Sequence, residues 1–289
     1  MTAMDVEWRS LQPSDVRGAF ELSKIAGWNQ TEADWHAYIG LASDGCIAVC
    51  VDGNLAGTAI SFRYGDKVGW IGMLLVHPDC RRHGLGRELL RRSIRLLEGK
   101  RIRTIRLDAT PMGRKVYLPL GFKDEYEVVR FEGFAGVFGA EESRALSART
   151  MSIGDLPEAA SLDARAFGVV RGDVLRALSS RDPELCFVAH ARGKTEGFLI
   201  ARKGREAIQL GPLVAMNAAS AESLVMALFG AVPGQRIYVD MPAPNREGNA
   251  ILARYGFRVQ RSFTRMLLGD SGPPADMGLV FGTGGAEIG

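Results

Sequence analysis

Apolar and polar positions along this chain follow two rhythms, one near every second residue and one near 3.6, and the switches between them mark its elements. Residues 15–23 read as a helix, with Ser14 as its N-cap. Two apolar runs, 47–51 and 57–62, flank Asp52, Gly53, Asn54 and Leu55; Asp-Gly and Asn tolerate the positive φ of a tight turn, so the pair predicts a hairpin. Residues 70–76 form a third apolar run and read as a buried strand. Between 86 and 97, Leu89, Leu90, Ile94, Leu96 and Leu97 recur at helical spacing with arginines opposite, which predicts an amphipathic helix. A strand over Thr104–Ala109 and a short helix over 112–118, ahead of Gly121, complete the series. Strands and helices in this order predict an α/β fold class, built as an α+β mixed sheet.

The pattern occurs twice. A shift of 140 residues places Arg9 on Arg149, Asp15 on Asp155 and Gly57 on Gly197. Further on, Gly72-Met-Leu-Leu-Val falls on Gly211-Pro-Leu-Val-Ala, residues 105–109 (IRLDA) on 237–241 (IYVDM), and Leu120-Gly-Phe on Tyr255-Gly-Phe. A period this long means a duplicated domain, since solenoid repeats recur every ~20–50 residues. The expected organisation is a first domain over 1–140, a second over 147–269 and a Gly/Pro-containing tail over 270–289, with the join in the small and charged stretch 140–147.

Composition narrows the class. At 289 residues the chain exceeds the usual ~100–200 of one domain, in agreement with the repeat. The 46% hydrophobic and 24% charged residues are those of an ordinary globular protein, and no apolar run approaches the ~18 residues that span a bilayer. The N-terminus carries neither a basic start with an apolar core nor an arginine-rich presequence, so the expectation is a cytoplasmic protein with no membrane partner. Cysteines at 46, 50, 80 and 186 are too scattered for a disulfide framework, and no Cys/His pair at ligand spacing completes a metal site, so no metal is expected.

The net charge of +3 is mild, but from Arg81 to Arg106 ten Lys/Arg face two acids, Glu88 and Glu98. Clustered cations are the footprint of phosphate binding. Interleaved aromatics for base stacking are missing and much of the cluster lies on a periodic helix, which argues against a nucleic-acid surface. The densest feature runs from the strand ending Leu75-Val76 through 77–80 into Arg81, Arg82, His83, Gly84, Leu85, Gly86 and Arg87 at the start of the helix. Glycines there let a ligand approach the backbone, and the uncapped N–H groups with the helix dipole favour an anion such as a diphosphate. No Gly-Lys-Ser/Thr follows, and Gly-x-Gly lacks a third glycine, so neither the Walker pattern nor the dinucleotide fingerprint is present.

Strand, basic residues, Gly-x-Gly and helix, followed by a strand and then 117–122 (YLPLGF), resemble the acetyl-coenzyme A site of the GNAT N-acetyltransferase superfamily. The duplication is similar to tandem GNAT proteins with a degenerate second copy. The resemblance implies two tandem GNAT-like domains, acetyl-CoA as cosubstrate and transfer of the acetyl group to a primary amine of a small molecule. It implies that Leu75 and Val76 present backbone groups to the pantetheine arm and thioester, with the Val76 N–H polarising the carbonyl. Arg81, Arg82, His83, Gly84, Leu85, Gly86 and Arg87 would surround the diphosphate, and Tyr117 would be the general acid for the departing thiolate, most useful if its pKa drops toward that of a thiol. Residues 70–76 hold no Asp or Glu, so Asp108 on the next strand is the first candidate base, with Glu32 and Asp34 behind it. Trp28, Asn29, Glu32 and Trp35 follow the first helix, where the superfamily forms its acceptor wall. Each residue also has a plainer reading: Tyr117 as a packed aromatic, Asp108 as a strand-end residue, Trp28 and Trp35 as one apolar helix face.

In the second copy the stretch 221–226 stands where 82–87 stand in the first, without glycines or cations and with Glu222, and Leu252 or one of its neighbours stands for Tyr117. That half is expected to have lost coenzyme binding, to support the fold and to shape the acceptor pocket. The alternative function is a non-catalytic acetyl-CoA or CoA sensor.

Overall fold

The computed structural model of the chain describes residues 4–136, 148–191 and 193–289; the expected join at 140–147 lies outside the described residues. The chain divides into two compact units, one of residues 1–124, 266–272 and 288, the other of 125–265, 273–287 and 289.

The first unit carries strands β1 (Val6–Ser10), β2 (Cys46–Val51), β3 (Asn54–Tyr64), β4 (Val68–Val76) and β5 (Thr104–Ala109), side by side in that order. The first four are antiparallel, and β4 pairs parallel with β5. The hairpin turn between β2 and β3 puts Asp52 and Gly53 at φ 49° and 78°, the left-handed geometry that Asp-Gly accepts. Helices α1 (Val16–Ile25), α2 (Glu32–Leu41), α3 (Leu85–Gly99) and α4 (Pro111–Tyr117) complete the unit. A 3₁₀ turn over Pro13–Asp15 precedes α1, so Ser14 lies inside that turn and Asp15 takes the N-cap position. Leu89 of α3 packs on Val49, Val51 and Ala59, covering one face of the sheet. On the other face Tyr38 of α2 meets Phe62 edge to face, ring centroids 5.9 Å apart.

The second unit repeats the plan with β7 (Ala148–Thr150), β8 (Cys186–Ala191), β9 (Lys194–Lys203), β10 (Ile208–Ala215) and β11 (Arg236–Pro242). Its helices are α5 (Leu156–Phe167), α6 (Gly172–Ser179), α7 (Ala218–Ala231) and α8 (Arg246–Arg254). The duplication read from the sequence has atomic counterparts. Arg9 grips Asp15 through two hydrogen bonds of 2.6 and 2.8 Å, and Arg149 grips Asp155 at 2.8 and 2.7 Å. A Cβ on Gly57 would lie 2.7 Å from the Leu75 carbonyl oxygen, and one on Gly197 2.9 Å from that of Val214, so both glycines answer the same close approach.

The last strands do not stay with their sequence halves. Strand β6 (Lys123–Phe134) pairs antiparallel with β11 over seven positions, from Val128 opposite Pro242 to Phe134 opposite Arg236. Within that pairing Arg130, buried, donates to the buried Asp240 at 2.7 and 2.6 Å. Strand β12 (Arg258–Gly269) supplies 258–265 to the second unit and its end to the first, where Met266 and Leu268 join the core with Ile105 and Leu107. There the Asp270 N–H donates to the Arg103 carbonyl at 3.0 Å. The segment expected as a tail contains a short strand, β13 (Val280–Gly282), paired with β10.

Candidate active site

Strands β4 and β5 pair over only three positions, Val68 with Thr104, Gly69 with Ile105 and Trp70 with Arg106. Beyond them the two diverge. The register of β4 against β3 slips between Thr58 opposite Leu75 and Ile60 opposite Gly72, which places one extra residue in β4, a β-bulge. Met73 in the bulge adopts φ 51°, an uncommon conformation for a non-glycine residue. The Thr58 hydroxyl holds it in place by donating to the Met73 carbonyl at 2.8 Å in a buried setting. The bulge reverses the alternation of the strand: Ile71 packs on the α3 side before it, and Leu74 and Val76 pack there after it. Leu74 and Val76 are half-buried in an otherwise buried strand, at the mouth of the split. Thr58→Val is expected to cost about 1–2 kcal/mol by orphaning the Met73 carbonyl, read as a drop of roughly 2–8 °C in melting temperature.

After Val76 the chain makes a 3₁₀ turn over Pro78–Cys80 and reaches α3 through Gly84, which caps the helix at φ 82°. Gly84 has no side chain to cap the helix, so among the described residues no side chain satisfies its first N–H groups. A Cβ on Gly86 would meet only Val76 Cγ2, at 3.6 Å, an ordinary contact; packing does not require glycine there, whereas a ligand lying on the backbone does. Arg82, His83 and Arg87 are exposed. Arg81 is exposed too, but its Nε donates to the Val76 carbonyl at 3.1 Å and ties the loop to the strand end. Leu85 buries its side chain against Leu89 and can offer a ligand only its backbone. Glu88, the acid in the first turn of α3, is taken up by Arg92 at 3.0 Å and Arg95 at 2.8 Å, while Asp79 in the preceding 3₁₀ turn is exposed. The result is an electropositive helix start beside a split strand, shaped for an elongated ligand with an anionic part.

Tyr117, the last residue of α4, lies in the apolar cluster with Ile71, Leu90 and Leu107, against which Leu74 also packs. A Cβ on Gly113 would lie 3.0 Å from the Tyr117 ring and hydroxyl, so this glycine, which carried no signal in the sequence, makes room for the side chain. Burial pushes the Tyr117 pKa up to about 12, the direction opposite to the drop expected of a strong acid. Asp108 is half-buried and engaged by neighbouring groups. Ile105 and Leu107 face α3 and α4, so Asp108 lies on the other face, with Arg106 and, through the parallel register, Trp70. Asp108 and Tyr117 are therefore not side by side; they belong to opposite faces of the sheet.

The acceptor candidates divide. Trp28 is half-buried and Asn29 buried in the turn between α1 and α2, and Glu32 is exposed at the start of α2. Trp35 is 0% exposed and donates its indole N–H to the Ser23 hydroxyl at 2.8 Å, so it packs α2 on α1 and has no surface for an acceptor. Asp34 caps α2, accepting from the Thr31 N–H at 2.7 Å. In the second unit the eight residues 77–84 are replaced by Met216 and Asn217 alone, and the Asn217 side chain accepts from the Ser220 N–H at 2.9 Å, closing the helix start. Glu222 lies one turn further in, paired with Arg254 and Tyr255 at 3.1 and 2.8 Å. The helix start of the second copy thus differs from the first by a shortened loop and a side-chain cap, and Glu222 lies outside that start.

Comparison with known proteins agrees with this geometry. A family model described as acetyltransferase (GNAT) family matches residues 8–122, and one described as acetyltransferase (GNAT) domain matches 159–282. The chain is 22% identical over 216 residues to holothin acyltransferase of Pseudoalteromonas sp. (strain SANK 73390), covering 74% of this chain and 71% of that protein. Its fold is similar to a putative acetyltransferase from Pyrococcus horikoshii, with a TM-score of 0.84, 24% identity and coverage of 100% and 98%. It is also similar to a tandem GNAT protein from the clavulanic acid biosynthesis pathway, with a TM-score of 0.64, 16% identity and coverage of 94% and 100%. With two matched domains following one another and the split strand and helix start in the first, the chain belongs to the GNAT acetyltransferase family in its tandem form.

Proposed function

We propose that the chain is an acetyl-CoA-dependent N-acetyltransferase acting on the amine of a small molecule, with its site in the first unit. The observation that carries this reading is the uncapped helix start at Gly84 and Gly86 next to the split between β4 and β5. The N–H groups of 85–87, with Arg82 and Arg87, hold the diphosphate. The backbone of Leu75 and Val76 lines the thioester arm, and the Val76 N–H stabilises the negative charge that develops on the carbonyl oxygen during attack. Trp28, Asn29 and Glu32 stand on the side from which the amine enters. A small acceptor is supported by the relative named for acylating holothin.

With its pKa near 12, Tyr117 keeps its proton at neutral pH, and complete transfer to a thiolate of ordinary basicity, near ~8.5, is uphill. Its contribution is then a hydrogen bond to the sulfur as the C–S bond breaks. Asp108 matches Asp240 of the second copy, which is buried and held by Arg130, and we read Asp108 likewise as a carboxylate engaged within the sheet and not presented to the amine. The amine accordingly loses its proton to solvent. Asp108→Asn is expected to lower the melting temperature while keeping kcat within about tenfold above the pKa of the amine. Loss of a titrating limb in the rate profile at unchanged stability makes Asp108 the base instead.

The test is release of free thiol from acetyl-CoA over a panel of small amines. Turnover that requires both substrates is the expected result. Tight coenzyme binding without turnover on the panel moves the reading to a sensor.

A further inference from the structure

The second unit contains the same split as the first. Strands β10 and β11 pair over three positions, 208–210 with 237–239, and the register of β10 against β9 then slips at Gly211 and Pro212, the counterparts of Gly72 and Met73. Here the split is filled. Strand β13 lies antiparallel to β10 just past the slip, Gly282 opposite Leu213 and Val280 opposite Val214. Leu213 and Val214 are the counterparts of Leu74 and Leu75. On the other side the Thr283 N–H donates to the carbonyl of Asp240 in β11 at 2.8 Å, so the segment is hydrogen-bonded to both walls.

Side chains complete the seat. Asn245, whose Oδ1 caps α8 by accepting from the Gly248 N–H at 2.9 Å, donates through its amide to the Val280 carbonyl at 2.7 Å. Phe281 is 1% exposed and lines an apolar cavity with Leu213, Val239, Met241 and Leu252, the last being the counterpart of Tyr117. The space left is about 10 Å³, no more than one water needs. The segment's backbone and ring thus take up the polar and apolar capacity of the split together.

We propose that residues 280–283 are a built-in occupant of the second copy's coenzyme cleft, an extended peptide lying where the first copy receives the pantetheine arm, so that each chain offers one acyl-CoA site and not two. The placement of that arm rests on the function proposed above; the seating of the strand does not. The occupant is held by a short ladder, a cap side chain and a buried ring, and a ligand entering this cleft must displace all three.

Hydrogen–deuterium exchange on the intact chain, with and without acetyl-CoA, reads the amides of 280–283. We expect Thr283 and the paired β13 amides to exchange at least ~10³-fold more slowly than open peptide, unchanged by the coenzyme. Exchange at open-loop rates, or protection lost when acetyl-CoA is added, overturns the proposal. A second measurement uses Leu213→Cys with Gly282→Cys. A Cβ on Gly282 lies 3.4 Å from Leu213 Cβ, close to the spacing of a disulfide. Closure of that pair in oxidising buffer, with acetyl-CoA affinity within about twofold of the reduced form, is expected; a folded protein whose pair stays open contradicts it. If the chain binds no acetyl-CoA at all, the proposed function fails, while exchange without coenzyme and the cysteine pair still report whether the strand is seated.

Discussion

Gly86→Glu lowers the affinity for acetyl-CoA by about 10²–10³-fold and leaves the melting temperature within about 2 °C. The magnitude follows from placing a carboxylate on a helix start that is to receive a diphosphate: at ~4 Å and an effective dielectric near 20, one pair of like charges costs about 4 kcal/mol, and the new side chain also blocks backbone approach. Stability is spared because a Cβ at this position meets only Val76 Cγ2 at 3.6 Å, so nothing in the protein's own packing opposes it. Gly84 is a poorer site for the same experiment, since its φ of 82° makes any replacement a strain on the fold. Calorimetry for binding and thermal denaturation for stability separate the two effects. Equal affinity in the variant removes the diphosphate from this loop.

Tyr117→Phe lowers kcat by about 10²-fold or more, within the range of one hydrogen-bond donor placed on a developing negative charge, with the dissociation constant of acetyl-CoA unchanged to within about twofold. The side chain is 9% exposed and no hydrogen bond joins its hydroxyl to a described residue, so its removal leaves no orphan and the melting temperature holds or rises slightly. With the Tyr117 pKa near 12, its deprotonation falls above the working range, so a rising rate between pH 6 and 9 reports the amine and persists in the variant. A variant as fast as the parent assigns Tyr117 to packing alone. Pre-steady-state measurement of thiol release distinguishes a slower chemical step from slower product release.

Much of the first unit was legible because its elements carry strong periods. The amphipathic spacing of Leu89, Leu90 and Leu97 fixes α3, Asp52-Gly53 fixes the hairpin, and Gly84 and Gly86 mark the helix start. Strand β1 alternates only over five residues, too short a stretch to separate from loop by period alone. The bulge at Met73 had no sign, because methionine is not a residue that advertises a left-handed conformation; it is imposed by Thr58 and the divergence of β4 from β5. Trp35 was misleading for a related reason: an indole beside polar residues fits a ligand wall and a buried helix contact equally well, and the deciding partner, Ser23, lies twelve residues away.

The exchange of last strands lay beyond any local pattern. A strand's alternation tells which side chains face a core, not which of two similar sheet edges it joins, and the two copies present edges of the same kind in β5 and β11. The pairing of Arg130 with Asp240 and the docking of Met266 and Leu268 beside Leu107 are tertiary choices. The strand β13 is similar: three residues among glycines and prolines look like a tail until the split in β10 and β11 gives them a partner on either side.

The central claim is that one coenzyme site exists per chain and that it lies at the start of α3. Calorimetric titration of acetyl-CoA into the intact, folded protein tests it most directly. The account predicts saturable binding of one acetyl-CoA per chain; no saturable binding, or two equivalents per chain, contradicts it.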